Sequence, residues 1–262
     1  MEARLARLLP ARPAALLAQR VAVLDLLVTQ LLDAASRPYA AAGRYARHFA
    51  NEKLRFDPVF LALLRRGLFP DRGSLLDAGC GQGLLLSLLV AAREQHATGR
   101  WPRDWPAPPQ HLALHGIDSH AGRVMAARRA LGAAAQVEQG DLREHDFPRP
   151  CSVVVLLDVL LYLEDGDPAR VIRKAADALE PGGLLLLREA DAGSGFAFRL
   201  TQFSAWFDAA TRGKFGQQPH CRSAEQWKEE LVRHGFAVEA EPMSQGTPFA
   251  NVLLVARKAA AK

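Results

Sequence analysis

Two segments, Val153–Asp158 and Leu184–Arg188, begin with uninterrupted apolar runs, and this feature limits the possible folds more than any other. Such runs fit strands that are covered on both faces, which is typical of a parallel sheet. Elsewhere, short apolar segments alternate with helical patterns. The further strand candidates are Leu75–Ala78, Leu112–Ile117 and Ala135–Glu138, and the helix candidates are Leu84–Gln95, Ala121–Leu131 and Pro168–Leu179. This alternation predicts right-handed crossovers and a doubly wound α/β sheet.

The N-terminal part of the chain has a purely helical pattern. Apolar residues recur at helical spacing over residues 21–32, and a second helical stretch covers about 43–66. We expect this second stretch to restart at Asp57-Pro58, because Asp caps helices and Pro fits the first turn. The sequence therefore predicts a helical extension over residues 1–68 and an α/β domain over residues 69–262.

Two segments interrupt the alternation of strands and helices. Residues 98–110 carry four prolines and two tryptophans, which predicts a surface loop whose role is open. Residues 190–222 are rich in Phe and Trp and are predicted to form a helical lid after the fifth strand. These aromatic side chains either wall an apolar substrate or pack the core of a helical cap. After them, Ser223–His234 is predicted as a helix, and Phe236–Ala240 with Val252–Ala256 as an antiparallel pair.

Charge and cysteine content argue against several classes of protein. The formal net charge is +5, but the basic residues are scattered and no run of five occurs, so a nucleic acid is not favoured as a partner. The three cysteines form no CxxC pair, which argues against a zinc ribbon, and their odd number fits a reducing compartment. Arg20 and Asp25 interrupt the apolar residues 14–32, so we expect neither a secretory signal nor a transmembrane segment. A cytoplasmic protein is expected.

The strongest candidate site is the turn Asp77-Ala78-Gly79-Cys80-Gly81-Gln82-Gly83, between the first strand and a helix. Glycines let the backbone turn sharply and approach a ligand closely, and a helix N-terminus offers free N–H groups. The carboxylate of Asp77 would repel a pyrophosphate but would attract an ammonium or a sulfonium. The turn therefore predicts a ligand that carries positive charge.

Three further acids follow the next strands. Asp118 ends the second strand, Asp141 follows the third and Asp158 follows the fourth. Because the carboxyl ends of neighbouring parallel strands meet at one crevice, we expect these side chains to lie close together. Asp118 is placed to bind two ribose hydroxyls, and Asp141 suits an exocyclic amine. With Asp77, these acids predict a site for a cationic, adenosine-bearing ligand.

The motifs DAGCGQG, GID, GDL, LLDVLLYL and LEPGG resemble, in this order and spacing, those of class I S-adenosylmethionine-dependent methyltransferases. The resemblance covers about residues 70–257. It implies S-adenosylmethionine as cofactor and a Rossmann-like, seven-stranded sheet whose last strand is antiparallel. It also implies a set of site residues: Gly79, Gly81 and Gly83 under the methionine part, Asp77 near its ammonium, Asp118 at the ribose, Asp141 and Leu142 at the adenine, Asp158 at the boundary with the substrate, and Cys80 and Ser119 beside them.

A narrower resemblance concerns the substrate. Residues 43–54, 57–60, 80–84 and 246–254 are similar to methyltransferases found with bacterial aryl polyene and xanthomonadin-type pigment genes. This similarity implies methylation of a small aromatic or phenolic acceptor, either free or bound to an acyl carrier protein. The N-terminal helices are a candidate interface for a homodimer or for a membrane surface.

Methylation of a phenol also requires a group that accepts the phenolic proton. The candidate bases are His220, Asp191, Glu189 and Tyr162. His220 lies at the end of the aromatic-rich segment, and the ordinary pKa of histidine suits the task. A histidine in a surface loop would look the same in sequence, and Asp191 is equally interpreted as a solvated loop acid.

Other functions share some of these features. An NAD(P)-dependent oxidoreductase uses a similar sheet but expects G-x-G-x-x-G, whereas the glycines here follow G-x-G-x-G. An RNA methyltransferase would keep the cofactor, and the basic pI of about 9.4 is its only support. His111 and His115 are four residues apart in a predicted strand, where they do not share a helical face, so no metal site is expected.

Overall fold

The computed structural model describes residues 11–164, 166–193, 221–245 and 250–260, with side chains from residue 19 onward. Its α-helices are α1 (Ala11–Ser36), α2 (Arg44–Phe56), α3 (Pro58–Arg65), α4 (Leu84–Ala97), α5 (Ala121–Leu131), α6 (Asp167–Ala178) and α7 (Ala224–Arg233). Short 3-10 helices cover Arg37–Ala42, Gly132–Ala134 and Leu160–Tyr162. None of the helices in these ranges combines the length and the apolar character needed to cross a membrane.

Seven strands form one sheet in the order β3-β2-β1-β4-β5-β7-β6. They are β1 (Arg72–Ala78), β2 (His111–Asp118), β3 (Gln136–Gln139), β4 (Cys151–Leu157), β5 (Leu179–Ala190), β6 (Phe236–Pro242) and β7 (Asn251–Lys258). Strand β7 runs antiparallel to both of its neighbours, and the pairs among β1–β5 are parallel. The predicted doubly wound sheet with an antiparallel last strand is confirmed.

Most predicted elements agree with the structure to within a few residues, and β5 differs most. It begins at Leu179, ahead of the predicted start at Leu184, because Leu179 already pairs with Cys151 of β4. A shift in register then brings Leu184 beside Val153. The Pro-Gly-Gly segment, which precedes the predicted strand, is therefore part of it.

Local sequence explains where the helices begin. Asp57 caps α3, since its side chain accepts a hydrogen bond from the Val59 amide at 3.2 Å and Pro58 occupies the first turn. Ser223 caps α7 in a capping box with Gln226. Both starts were predicted from the sequence.

Alternate residues of each central strand pack on opposite faces of the sheet, as the two-residue period of a strand requires. Leu75 and Val153 join a core that the N-terminal helices share with α4 and α5. Leu76 and Val154 join a second core under α6 and α7. The N-terminal helices thus share their core with the sheet, and the predicted domain boundary at residue 68 stays a prediction.

The loop at residues 98–110 holds the N-terminal helices against the sheet domain. Trp101 is buried, and its indole N–H donates to the Pro106 carbonyl at 3.0 Å. The Arg65 guanidinium of α3 lies 5.0 Å from the centre of the Trp105 ring. The sequence left the role of this loop open. In the structure its two inward-facing tryptophans pack between the N-terminal helices and the sheet domain.

A buried ion-pair network makes a second connection between the N-terminal helices and the sheet. Arg188 of β5, which is 1% exposed, binds the carboxylates of Asp57 and Asp158 with both ends of its guanidinium. Lys53 of α2 also pairs with Asp57 at 2.8 Å. The two cations hold the pKa of Asp57 well below its usual range, although burial opposes them.

We expect Asp57→Ala to lower the free energy of unfolding by about 3 kcal/mol, because it removes one of two counter-charges from a buried arginine. Asp33→Ala is the matched control: its partner Arg37 is exposed, so its loss costs less than about 1 kcal/mol. Urea denaturation at pH 7 measures both values. The pKa of Asp57 is lower in the folded protein than in the unfolded chain. The difference in free energy of unfolding between wild type and Asp57→Ala is therefore complete above pH about 4 and declines in more acidic solution. Equal losses in the two variants would contradict the assignment.

Candidate functional site

The crevice lies where the chain crosses from β1 to β4, because the connections on the two sides of this pair run in opposite directions. The glycine turn that follows β1 forms its floor. Gly79 has φ 85°, and a Cβ there would lie 2.5 Å from the Val159 side chain. Gly81 has φ 57°, but a Cβ there would meet nothing within 4 Å. Gly79 is thus required by packing, whereas at Gly81 the backbone faces open space that a ligand can use.

Hydrogen bonds tie the glycine turn to the end of β2. The amides of Gly79 and Cys80 donate to the Ile117 carbonyl at 2.7 and 3.0 Å. The Gly81 amide donates to Asp118 Oδ2 at 2.9 Å, and the His120 amide donates to Asp118 Oδ1 at 2.9 Å. Because each carboxylate oxygen has two lone pairs, both oxygens of Asp118 retain capacity for a ligand hydroxyl.

Asp77 is a buried acid beside a second acid. Burial, and then the charge of Asp118, raise the pKa of Asp77 to about 7. Such a pair of carboxyl groups favours a cation, which would lower the pKa of Asp77 again. In the same turn, the side-chain carbonyl oxygen of Gln82 is buried and finds no hydrogen-bond partner within the described ranges. These residues fit a ligand with an ammonium or sulfonium group.

Cys80 belongs to the core rather than to a reactive site. Its side chain is buried, and a Cβ on Gly116 would lie 2.9 Å from its Sγ atom. Burial raises the pKa of the thiol well above its ordinary value. Within the described residues, its contribution to the crevice is the backbone of the turn.

Adenine is predicted to bind at one end of the crevice, and this end contains Arg143, which the sequence did not suggest as a site residue. The Asp141 carboxylate binds the Arg143 side chain, with Nη2 to Oδ2 at 2.7 Å, and Arg143 also pairs with Asp167. The predicted exocyclic amine would therefore share Asp141 with a guanidinium. Leu142 is buried, as an apolar contact requires, and Ser119 is exposed beside Asp118.

Asp158 lies in the turn after β4 and has the left-handed φ of 56°. Its amide donates to the Arg188 carbonyl at 2.9 Å, and its carboxylate binds the Arg188 side chain. Sequence reasoning found Asp158 but missed Arg188, whose only signal was a charged residue directly after an apolar strand.

The four candidate bases lie in different environments. Asp191 Oδ1 accepts hydrogen bonds from the amides of Gly193 at 2.9 Å and Ala224 at 3.0 Å, which attaches the end of β5 to the start of α7. Tyr162 ends the 3-10 helix that follows β4. His220 and most of the predicted lid lie outside the described residues. Glu189 is buried, and its Oε1 atom accepts from the amides of Val159 and Leu160.

His111, considered with His115 for a metal pair, instead lies with its Nδ1 atom 3.0 Å from Asp71 Oδ2. In the described ranges, no three His, Cys, Asp or Glu side chains are grouped so that they could hold a metal ion.

Residues 46–241 match the family model described as a methyltransferase domain. The carboxy-S-adenosyl-L-methionine synthase of Chromohalobacter salexigens is 33% identical over 118 residues, which are 43% of this chain and 38% of that protein. The trans-aconitate 2-methyltransferase of an Azoarcus species is 31% identical over 142 residues, or 53% and 47% of the two chains. This chain thus spans less than half the length of these curated relatives.

Solved structures share the fold at low sequence identity. An O-methyltransferase family protein from Burkholderia thailandensis superposes with a TM-score of 0.60 at 17% identity, over 85% of this chain and 63% of that one. Human N-acetylserotonin methyltransferase in complex with S-adenosylmethionine gives 0.56 at 17% identity, over 80% and 54%. The family match covers most of the chain and confirms the cofactor expected from the five motifs. The chain belongs to the methyltransferase domain family, and its cofactor is S-adenosylmethionine.

Proposed function

We propose that this protein transfers the methyl group of S-adenosylmethionine to a small aromatic or phenolic acceptor. The observation that carries the proposal is the buried Asp77–Asp118 pair beside the open backbone at Gly81, in a chain of the methyltransferase domain family. When bound, the cofactor supplies a methyl group that its sulfonium already activates. Much of the rate can then come from holding the acceptor in line with that methyl group in a dry pocket.

Each part of the crevice has a distinct role in this proposal. The backbone of Gly79, Gly81 and Gly83 supports the methionine part, and Asp77 neutralises its ammonium. The two oxygens of Asp118 hold the ribose hydroxyls while they keep their bonds to the amides of Gly81 and His120. The remaining members of the set are Asp141, Leu142, Ser119 and the Cys80 backbone toward the adenine, and Asp158 at the acceptor.

The aromatic acceptor is supported by sequence composition and by the narrower family resemblance. Residues 190–222 contain five of the 12 phenylalanines of the chain, which suits a wall around an aromatic ring. An aryl polyene-type intermediate, free or on an acyl carrier protein, and a homodimer belong to this finer proposal. Methylation of RNA has weaker support, because the basic residues are scattered rather than clustered.

The proposal is tested by incubating the full chain with S-adenosylmethionine and separate acceptors, and by measuring S-adenosylhomocysteine formation. We expect turnover with at least one of phenol, catechol and 4-hydroxybenzoate, and little dependence on salt. Turnover confined to trans-aconitate or a related carboxylic acid would contradict an aromatic acceptor. Turnover confined to RNA, with the steep salt dependence of phosphate contacts, would contradict a small molecule.

We expect Asp118→Asn to weaken S-adenosylmethionine binding by about 1–3 kcal/mol, because a charged acceptor of two hydroxyls becomes a neutral amide. Isothermal titration measures this change as an increase in Kd of about 5- to 150-fold. Asp177→Asn, an exposed acid on α6, is the matched control and should bind as the wild type does. An unchanged Kd in Asp118→Asn would remove this residue from the site.

Cofactor affinity should also depend on pH through Asp77. With a pKa of about 7 in the free protein, this carboxyl is mostly protonated at pH 6, while a cationic ligand favours the ionised form. The Kd should therefore be about five- to tenfold higher at pH 6 than at pH 7.5. Titrations at pH 6 in two buffers of different ionisation enthalpy should show release of about one proton. Asp77→Asn should bind weakly at both pH values, and a wild-type Kd independent of pH would contradict the role of Asp77.

A further inference from the structure

Glu189 occupies the same edge of the sheet as the acids of the cofactor crevice. Strands β4 and β5 are parallel, and Leu157 pairs with Arg188, so the next residues, Asp158 and Glu189, are neighbours at this edge. Asp158 lies in the turn after β4, whereas Glu189 is still part of β5 and pairs with Val252 of β7. Asp158 is the residue expected at the boundary between cofactor and acceptor. Glu189 is therefore positioned where the methyl acceptor is expected, on the adjacent strand.

One oxygen of this carboxyl group is held by two amides, and the other has no partner in the described part of the chain. Oε1 accepts hydrogen bonds from the amides of Val159 at 3.0 Å and Leu160 at 2.7 Å. Oε2 is buried and has no hydrogen-bond partner among the residues that the structure describes. The side chain of Glu189 is 1% exposed, so bulk water does not satisfy this oxygen. Buried polar atoms without partners are rare in native proteins, and each calls for an explanation, of which a catalytic role is one.

The same turn connects Glu189 to the floor of the crevice. Val159, whose amide binds Glu189, has its side chain against Gly79, where a Cβ would lie 2.5 Å away. Val159 thus lies between the carboxyl group of Glu189 and the glycine turn that is proposed to support the methionine part of the cofactor. This places Glu189 near the methyl end of the site.

The charges around Glu189 favour a group that can gain and lose a proton. Burial, and then Asp158, raise the pKa of Glu189 to about 8, while the amides after β4 lower it. Arg188 on the same strand is already bound by Asp57 and Asp158. On the side of α7, Cys221 has its own pKa raised to about 11 by burial and by Glu189, so it stays neutral. A carboxyl group tuned in this way is suited to general base catalysis near neutral pH.

We propose that Oε2 of Glu189 accepts the proton of the acceptor hydroxyl during methyl transfer. The inference rests on the proposed function. In this step the acceptor O–H bond breaks and its proton moves to Oε2, while the acceptor oxygen forms a bond to the methyl carbon. The bond between that carbon and sulfur breaks, and its electron pair stays on sulfur, which becomes a neutral thioether. Glu189 later returns the proton to solvent.

The experiment compares Glu189→Gln with wild type for two kinds of acceptor. Each phenol that the wild type methylates is paired with its analogue in which every ring hydrogen is replaced by fluorine, whose hydroxyl is already ionised at neutral pH and needs no base. We expect Glu189→Gln to lower kcat at least about 100-fold with the phenol but less than about fivefold with the analogue. A purely structural role of Glu189 would lower both rates equally. Cofactor Kd and thermal stability are measured on the same samples.

Glu180→Gln is the matched control, since Glu180 is an exposed acid at the opposite end of the same strand. It should behave as the wild type in every assay. If Glu189→Gln fails to fold, the pH dependence of wild-type kcat replaces it. Below pH about 8 the rate with the phenol should fall about tenfold per pH unit, and the rate with the fluorinated analogue should stay constant.

The outcomes separate this inference from the proposed function. Phenol methylation that persists in Glu189→Gln with an unchanged pH profile would overturn the role of Glu189 and leave the proposed function intact. Equal losses for the phenol and its analogue would overturn it as well, in favour of a structural role. Absence of turnover with any phenol in the wild type would overturn the proposed function itself.

Discussion

The buried guanidinium of Arg188 is the interaction that the crevice edge of the sheet depends on. It joins Asp57, between two N-terminal helices, to Asp158, in the turn after β4. A buried arginine is tolerated only with counter-charges in good geometry, so both acids are required where they are. As a result, one side chain positions the N-terminal helices, the turn after β4 and the end of β5.

Among the described residues, Asp77 and Asp118 have no such cation, and this distinguishes them from the acids whose charge has a structural partner. Asp57 and Asp158 share Arg188, whereas Asp77 and Asp118 face each other and raise the pKa of Asp77. Burying a carboxyl group in this way costs stability in the empty protein, which is typical of sites that are completed by a ligand. In the proposed site, a cationic cofactor would relieve this cost, because its charge would lie beside the two carboxyl groups.

Much of the site could be predicted from sequence because its members are local signals at strand ends. The glycine turn and Asp118 follow apolar strands, and parallel strands necessarily bring their carboxyl ends together. Arg143 and Arg188 were not predicted, because they lack such a local signal. Each is an arginine with no sequence pattern of its own, and its partners become visible only once the turn and the neighbouring strand are built. Among the candidate bases, nothing in the sequence distinguished Glu189 from Asp191. Each accepts two backbone amides on one oxygen, but Oε2 of Glu189 is buried without a partner among the described residues.

The sequence by itself determined the doubly wound sheet, the antiparallel last strand, the helix starts at Asp57 and Ser223 and the cofactor class. These follow from hydrophobic periodicity, capping chemistry and the order of short motifs, which all act over a few residues. Only the tertiary structure decided that Trp101 and Trp105 attach the N-terminal helices to the sheet domain, that Arg188 links Asp57 to Asp158, and that Glu189 faces the turn after β4. These contacts join residues far apart in the chain, and their energies depend on burial and on charge geometry, which exist only after the chain has folded.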